Sequence, residues 1–231
     1  MARTGGEGAK RKDGGWDGLQ RFLGDNSLSL ALFGLFLACL AAQAVTGWQA
    51  FNRALKDAGL RPMAFPAYLG SGDFLDGIFS NWEAAILQLA VLIAFSSVLR
   101  QKGAAHSKKA GGGNRRKFSL NLNLKSSPME WLKANSLSLA FGAMFAATFL
   151  LHALFGSWKH DEEQMLRHLP PSPFDAYLTS AGFWASVFQC WQAEFGAIGL
   201  YIVLSICLRQ EGSSESKPTE ASNAETGETN K

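Results

Sequence analysis

Cysteine is scarce in this chain, and what there is does not pair. Cys39, Cys190 and Cys207 are the only three in 231 residues. They form no CxxC and leave an odd one over, which excludes a disulfide framework and a zinc ribbon. Those inside apolar stretches read as small core residues. Enzyme signatures are missing as well. Gly111-Gly112-Gly113-Asn114 lacks the Gly-Lys-Ser/Thr of a P-loop, and Gly70-Ser71-Gly72 lacks the later glycine of a dinucleotide turn. His160-Asp161-Glu162-Glu163 has no second histidine at zinc-helix spacing and reads as a solvated loop face. No enzyme activity, no metal and no cofactor is expected.

Charge is also rare where the apolar residues gather. Only 18% of residues are charged. Four stretches, about 28–48, 78–99, 137–158 and 183–208, are almost free of charge. Each holds some 20 residues or more, and about 20 span a hydrocarbon core of ~30 Å at ~1.5 Å per residue. The mean hydropathy of +0.01 conceals them, because polar tails and loops dilute the average. Leu30–Ala42 has no polar stripe of the kind a soluble core helix carries. Transmembrane helices are the expectation, with the lipid bilayer as the first partner. Of the 22 Lys and Arg, 17 fall before residue 28, between 100 and 135, or after 208. That asymmetry predicts a multi-pass protein of the inner (cytoplasmic) membrane with both termini and the central loop in the cytoplasm. Arg115-Arg116-Lys117 is too short a cluster to suggest nucleic acid.

The chain then repeats itself at an interval of 109. Asn26-Ser27-Leu28-Ser29-Leu30-Ala31 returns as Asn135-Ser136-Leu137-Ser138-Leu139-Ala140. Tyr68-Leu69-x-Ser71-x-x-Phe74 returns as Tyr177-Leu178-x-Ser180-x-x-Phe183, and Leu99-Arg100-Gln101-x-Gly103 as Leu208-Arg209-Gln210-x-Gly212. Between 65–108 and 174–217, 17 of 44 positions are identical without a gap. The unit is therefore a duplicated two-helix hairpin. Lys10-Arg11-Lys12 before an apolar run ending in Ala42-Gln43-Ala44 resembles a secretory leader, but the second copy of that run is internal, so a retained helix is expected.

The predicted architecture is an all-α integral membrane four-helix bundle of two tandem hairpins with interfacial amphipathic helices. Residues 1–15 form a disordered basic tail and 16–103 the first repeat. A cytoplasmic linker occupies 104–126, the second repeat 127–212, and a disordered tail 213–231. Trp16, Leu19, Phe22 and Leu23 suit a short interfacial helix. Ser127, Pro128 and Glu130 provide start signals for its counterpart. Each outward loop, rich in aromatic residues, is predicted to form an amphipathic helix on the outer surface. Small residues four apart (Gly34, Ala38 and Ala42; Ala143 and Ala147; Ala90 and Ala94; Ala193 and Ala197) are predicted to pack helix on helix.

Polar residues inside the stretches are the candidate site, because each is costly in lipid. Gln43 and its repeat partner His152 lie 16 residues into their helices, and Glu83 and Glu194 lie 17 and 15 from the opposite ends. All four fall at roughly 22–26 Å from the cytoplasmic end, a single layer. Gln192, the repeat equivalent of Glu83, joins them. The layer is expected either to bind a ligand or proton or to be an interhelical hydrogen-bond layer. Glu194 is predicted to face the bundle near His152 or Gln43, and Glu83 to lean outward.

The Asp25-to-Leu30 run, the Tyr-Leu-x-Ser loops, Asn81-Trp82-Glu83 and the closing Leu-Arg-Gln-x-Gly resemble a bacterial integral membrane-protein family, a domain of unknown function, over residues 20–217. The family pattern resembles Trp-Glu-x-Glu-Phe. Here Trp82-Glu83-Ala84-Ala85 lacks the second carboxylate, and Trp191-Gln192-Ala193-Glu194-Phe195 lacks the first. The resemblance implies membrane residence, and no activity is carried over from it. Three functional readings follow. One is a non-enzymatic structural, envelope-stress or partner-binding protein. Another is a small transporter, channel or proton-linked subunit, with a homo-oligomer or another membrane protein as partner. The third is a membrane-embedded enzyme or redox subunit.

Overall fold

The computed structural model describes residues 14–107 and 127–227. Most of the predicted amino-terminal tail and central linker lies outside them. Among the described residues all regular structure is helical: α1 (Gly14–Asp25), α2 (Ser27–Asp57), α3 (Phe65–Tyr68), α4 (Gly72–Val98), α5 (Pro128–Ala134), α6 (Ser136–Leu166), α7 (Phe174–Leu178) and α8 (Ala181–Cys207). Helices α2, α4, α6 and α8 are long and apolar enough to cross a membrane, with mean hydropathy of 1.4 to 2.2 over 18 residues. At 27 or 31 residues they measure about 40–46 Å, longer than the ~30 Å that a hydrocarbon core requires.

Local chemistry sets the helix ends. Ser71 Oγ accepts from Phe74 N at 3.3 Å, and Ser180 Oγ from Phe183 N at 3.2 Å. The recurring Ser-x-x-Phe is thus an N-cap. Asn26 and Asn135 mark the joints α1–α2 and α5–α6, each donating its side-chain amide to the carbonyl four residues back at 2.8 Å. Beyond α2 and α6 the chain turns through left-handed residues, Gly59 at φ 71° and His168 at φ 58°. Leu60 N and Leu169 N then donate back to Leu55 O and Gln164 O. Glycine takes this conformation freely, whereas His168 holds it against a steric cost. Ser127 stands at the α5 N-cap position but makes no side-chain capping bond.

Two units result, Met1–Arg53 and Ala54–Lys231. In the first, α1 leads into α2. In the second, α4 lies along α6, α8 packs on α4, and α7 touches α6 and α8. Ala153, Phe183 and Val187 form its buried core, with Phe149, Tyr177, Leu178 and Trp191 packed around them.

Several expectations need correction. Helices α2 and α6 run nine and eight residues past Trp48 and Trp158, so the loops shrink and α3 and α7 are single turns of four and five residues. Ala143, Ala147, Ala94, Ala193 and Ala197 are exposed, and a Cβ on Gly34 would meet nothing within 4 Å. Close helix approach depends instead on Gly72, Gly156, Ala84 and Ala153. Residues 213–227, predicted to be disordered, fold into turns against Gly103–Ala105. Gly103 N donates to Thr226 Oγ1 at 2.8 Å and Gly227 N to Ala104 O at 3.0 Å. The buried Lys217 ammonium donates to the carbonyls of Ser222 and Glu225, which gives this polar segment a hydrogen-bonded centre.

Candidate functional site

The site grows from the antiparallel pairing of α4 with α6. At the α4 N-terminus Gly72 lies against the α6 backbone, where a Cβ would collide with Trp158 and Lys159. There Glu162 accepts from Gly72 N and Asp73 N at 2.7 and 2.8 Å. A carboxylate at a helix N-terminus satisfies unpaired amides and meets the positive end of the helix dipole. This contact fixes the register. The segment His160–Glu163, predicted to be a solvated loop face, is therefore part of α6 and clamps α4.

From that clamp the register carries inward by sevens. Asp76 and Glu83 are seven apart on α4, and Lys159 and His152 are seven apart on α6. Two helical turns separate each pair, so both stand on one face. Lys159 Nζ donates to Asp76 Oδ2 at 2.9 Å. His152 Nδ1 hydrogen-bonds Glu83 Oε2, and Trp191 Nε1 on α8 donates to Glu83 Oε1 at 2.8 Å. His152 Nε2 faces Asp76 Oδ1 at 3.6 Å, beyond hydrogen-bond length, and has no hydrogen-bond partner. The Phe183 ring lies tilted against the imidazole, with centroids 5.4 Å apart.

Exposure falls steeply along this chain of groups. The side chains of Lys159, Asp76, His152 and Glu83 are 37%, 8%, 1% and 1% exposed. Lys159 and Asp76 cancel each other's charge. With Nδ1–H donating to a Glu83 carboxylate, His152 and Glu83 together carry one negative charge, and one added proton makes the pair neutral. Uptake of that proton relieves the desolvation cost of an unbalanced buried ion.

Tyrosines of the two short loop helices border the array. Tyr177 sits over Gly156, where a Cβ would strike its hydroxyl and lie 3.0 Å from Asp76 Oδ1. Burial, and then the negative charges of Asp76 and Glu163, push its phenol well above the ordinary value. Tyr68 donates to Asp73 Oδ2 at 2.9 Å. Burial, followed by that bond, raises it likewise.

Residues 19–228 match a family described as Domain of unknown function (DUF6766). The chain belongs to that family. No curated protein and no solved structure matches it. In this DUF6766 chain, then, the geometry alone sorts the candidate residues. His152 and Glu83 are brought together. Glu194 is not part of the pair: its backbone carbonyl accepts from Gln88 Nε2 at 3.2 Å, and no hydrogen bond joins it to His152. Glu83, expected to lean outward, is the carboxylate that meets His152, because the imidazole Nδ1 is directed to α4. Gln192 is exposed, and Gln43 is exposed on α2 within the first unit. Sequence reasoning missed Asp76, Lys159, Glu162, Tyr177 and Trp191. The matching intervals of seven in Asp76/Glu83 and His152/Lys159 were the available signal, for two helices known to be antiparallel.

Proposed function

We propose that this chain is a multi-pass membrane protein that binds and relocates a proton at the buried His152–Glu83 pair, as a small proton-linked subunit without bond-making chemistry. One observation carries the reading: an imidazole and a carboxylate hydrogen-bonded to each other at about 1% exposure in helices apolar enough to span a bilayer. Ionisable groups at such depth are expensive and mark proton or ion sites, and histidine changes charge near neutral pH.

We place the chain in the cytoplasmic membrane of a bacterial cell with both termini inside, on the distribution of Lys and Arg. A tandem duplication is supported by the helix bounds: 27–57 and 136–166, then 72–98 and 181–207, differ by 109 at both ends. The repeat equivalents of His152 and Glu83 are the neutral Gln43 and Gln192, so the titratable pair takes one residue from each half of the duplication and its symmetry-related pair is neutral. Four spans enclose little space, which favours a homo-oligomer or a membrane partner for any flux.

A second reading, a non-enzymatic structural or partner-binding role, is favoured by the two oxygens of Glu83, which tie α4 to α6 and to α8. Infrared spectroscopy of the purified full chain, scanned over about pH 5–8 where histidine charge changes, separates the two. The proton reading expects a carboxyl C=O band that responds to pH and disappears in Glu83→Gln. The structural reading expects no such band, with Glu83→Gln lowering thermal stability all the same.

A further inference from the structure

A proton site this deeply buried needs a route, and the array offers one that opens at one end only. We propose that Asp76 delivers the proton to His152 from the α3/α7 end of the helices, and that Lys159 controls this step by holding Asp76. The inference rests on reading His152–Glu83 as a proton site.

The route is defined by what each group can accept and pass on. Lys159 is the half-exposed end of the array, and its ammonium occupies Asp76 Oδ2. The other oxygen of Asp76 points at His152 Nε2 across 3.6 Å. With Glu83 ionised, Nδ1–H donates to it, and Nε2, without a partner among the described residues, is the acceptor nitrogen. At the far side stands Trp191, whose indole N–H only donates and cannot take a proton onward. Gln88, the next polar side chain inward on α4, is directed to the Glu194 carbonyl. Of the other titratable groups on the packed elements, Asp73 on α4, Glu162 and Glu163 on α6 and Tyr177 on α7 lie near the Lys159–Asp76 end, and Cys190 on α8 lies near Glu83. Among the described residues no side-chain hydrogen bond joins any of them to the array.

The transfer balances without any other reactant. A proton from water at the Lys159 end binds Asp76 Oδ1 and weakens the ion pair. The neutral carboxyl group closes the gap and gives that proton to His152 Nε2. The imidazole releases its Nδ1 proton to Glu83 Oε2. Asp76 is again a carboxylate and pairs again with Lys159. The net change is one proton gained by Glu83, with no bond between heavy atoms made or broken. Gly156 leaves the space in which Asp76 Oδ1 and the Tyr177 hydroxyl meet the α6 backbone.

The test is kinetic. The full chain is reconstituted in phosphatidylcholine vesicles, the outer pH is jumped, and the protonated-carboxyl band assigned through Glu83→Gln is followed in time. Asp76→Asn is expected to slow the band by at least about tenfold while leaving its final amplitude, the scale expected on losing a positioned acid–base group. Asp76→Glu should restore the rate, and Lys159→Met should quicken it at unchanged amplitude. An unchanged rate in Asp76→Asn overturns the proposal. Should that variant fail to fold, wild-type kinetics in Lys159→Met overturn it equally. A wild-type band that never responds to pH removes the proton site itself, whereas a responding band with rates indifferent to Asp76 and Lys159 removes only the route.

Discussion

Glu83 and Glu194 look alike in the sequence, yet they occupy different environments. Both are carboxylates near an aromatic ring, at similar distances from the ends of their helices. Glu83 is fully buried with both oxygens hydrogen-bonded, while Glu194 is only partly covered. Truncating Glu83 would strand an imidazole and an indole N–H in the interior, and breaking a buried charged pair from one side costs about 3–5 kcal/mol. Glu83→Ala should therefore lower unfolding stability in detergent by roughly 3 kcal/mol or more. Glu194→Ala should change it by about 0.5 kcal/mol or less, as at sites without such partners. Denaturant or thermal unfolding of the two variants side by side checks this, and equal losses would show that the pair does not anchor the helices. The depth of these residues was legible, because rise per residue depends on backbone geometry alone. Their orientation was not, because it depends on which helix becomes the neighbour.

At the scale of elements, caps and glycines carry the local information and tight contacts carry the rest. The N-caps Ser71 and Ser180 and the left-handed exits at Gly59 and His168 are written in short motifs that act through nearby backbone. The small-residue pattern misled on α6 and α8, where Ala143, Ala147, Ala193 and Ala197 are periodic but exposed, whereas Gly72 belongs to no such pattern. A methyl group at Gly72 would press on the α6 backbone, which cannot swing aside as a side chain can. Gly72→Ala should cost on the order of 2 kcal/mol through overpacking and loosen the register that aligns Asp76 with Lys159. Gly196→Ala, where a Cβ meets nothing within 4 Å, should be neutral or favour the helix by up to about 1 kcal/mol. Unfolding midpoints of the two variants in the same detergent decide it. A Gly72→Ala midpoint at or above that of Gly196→Ala would contradict the tight α4–α6 crossing.

For the molecule as a whole, charge and hydropathy predict the passage through the membrane. With the native cysteines replaced, Arg115→Cys should resist a membrane-impermeant maleimide applied to intact cells, while Arg61→Cys should react. Labelling in the reverse pattern would overturn the cytoplasmic placement of the termini. What the sequence determined by itself is what local composition can encode. Four apolar helices of spanning length follow from hydropathy, and the 109-residue recurrence from direct comparison. Tertiary structure alone decided that α4 pairs with α6 and that Glu83, rather than Glu194, meets His152. It also recruited Asp76, Lys159 and Trp191 to the same array. The physical reason is that a helix with apolar residues on every side carries no mark of its buried face. That choice rests with a few close contacts, Gly72 against α6 and Glu162 on the α4 N-terminus, between residues about 90 apart in the chain.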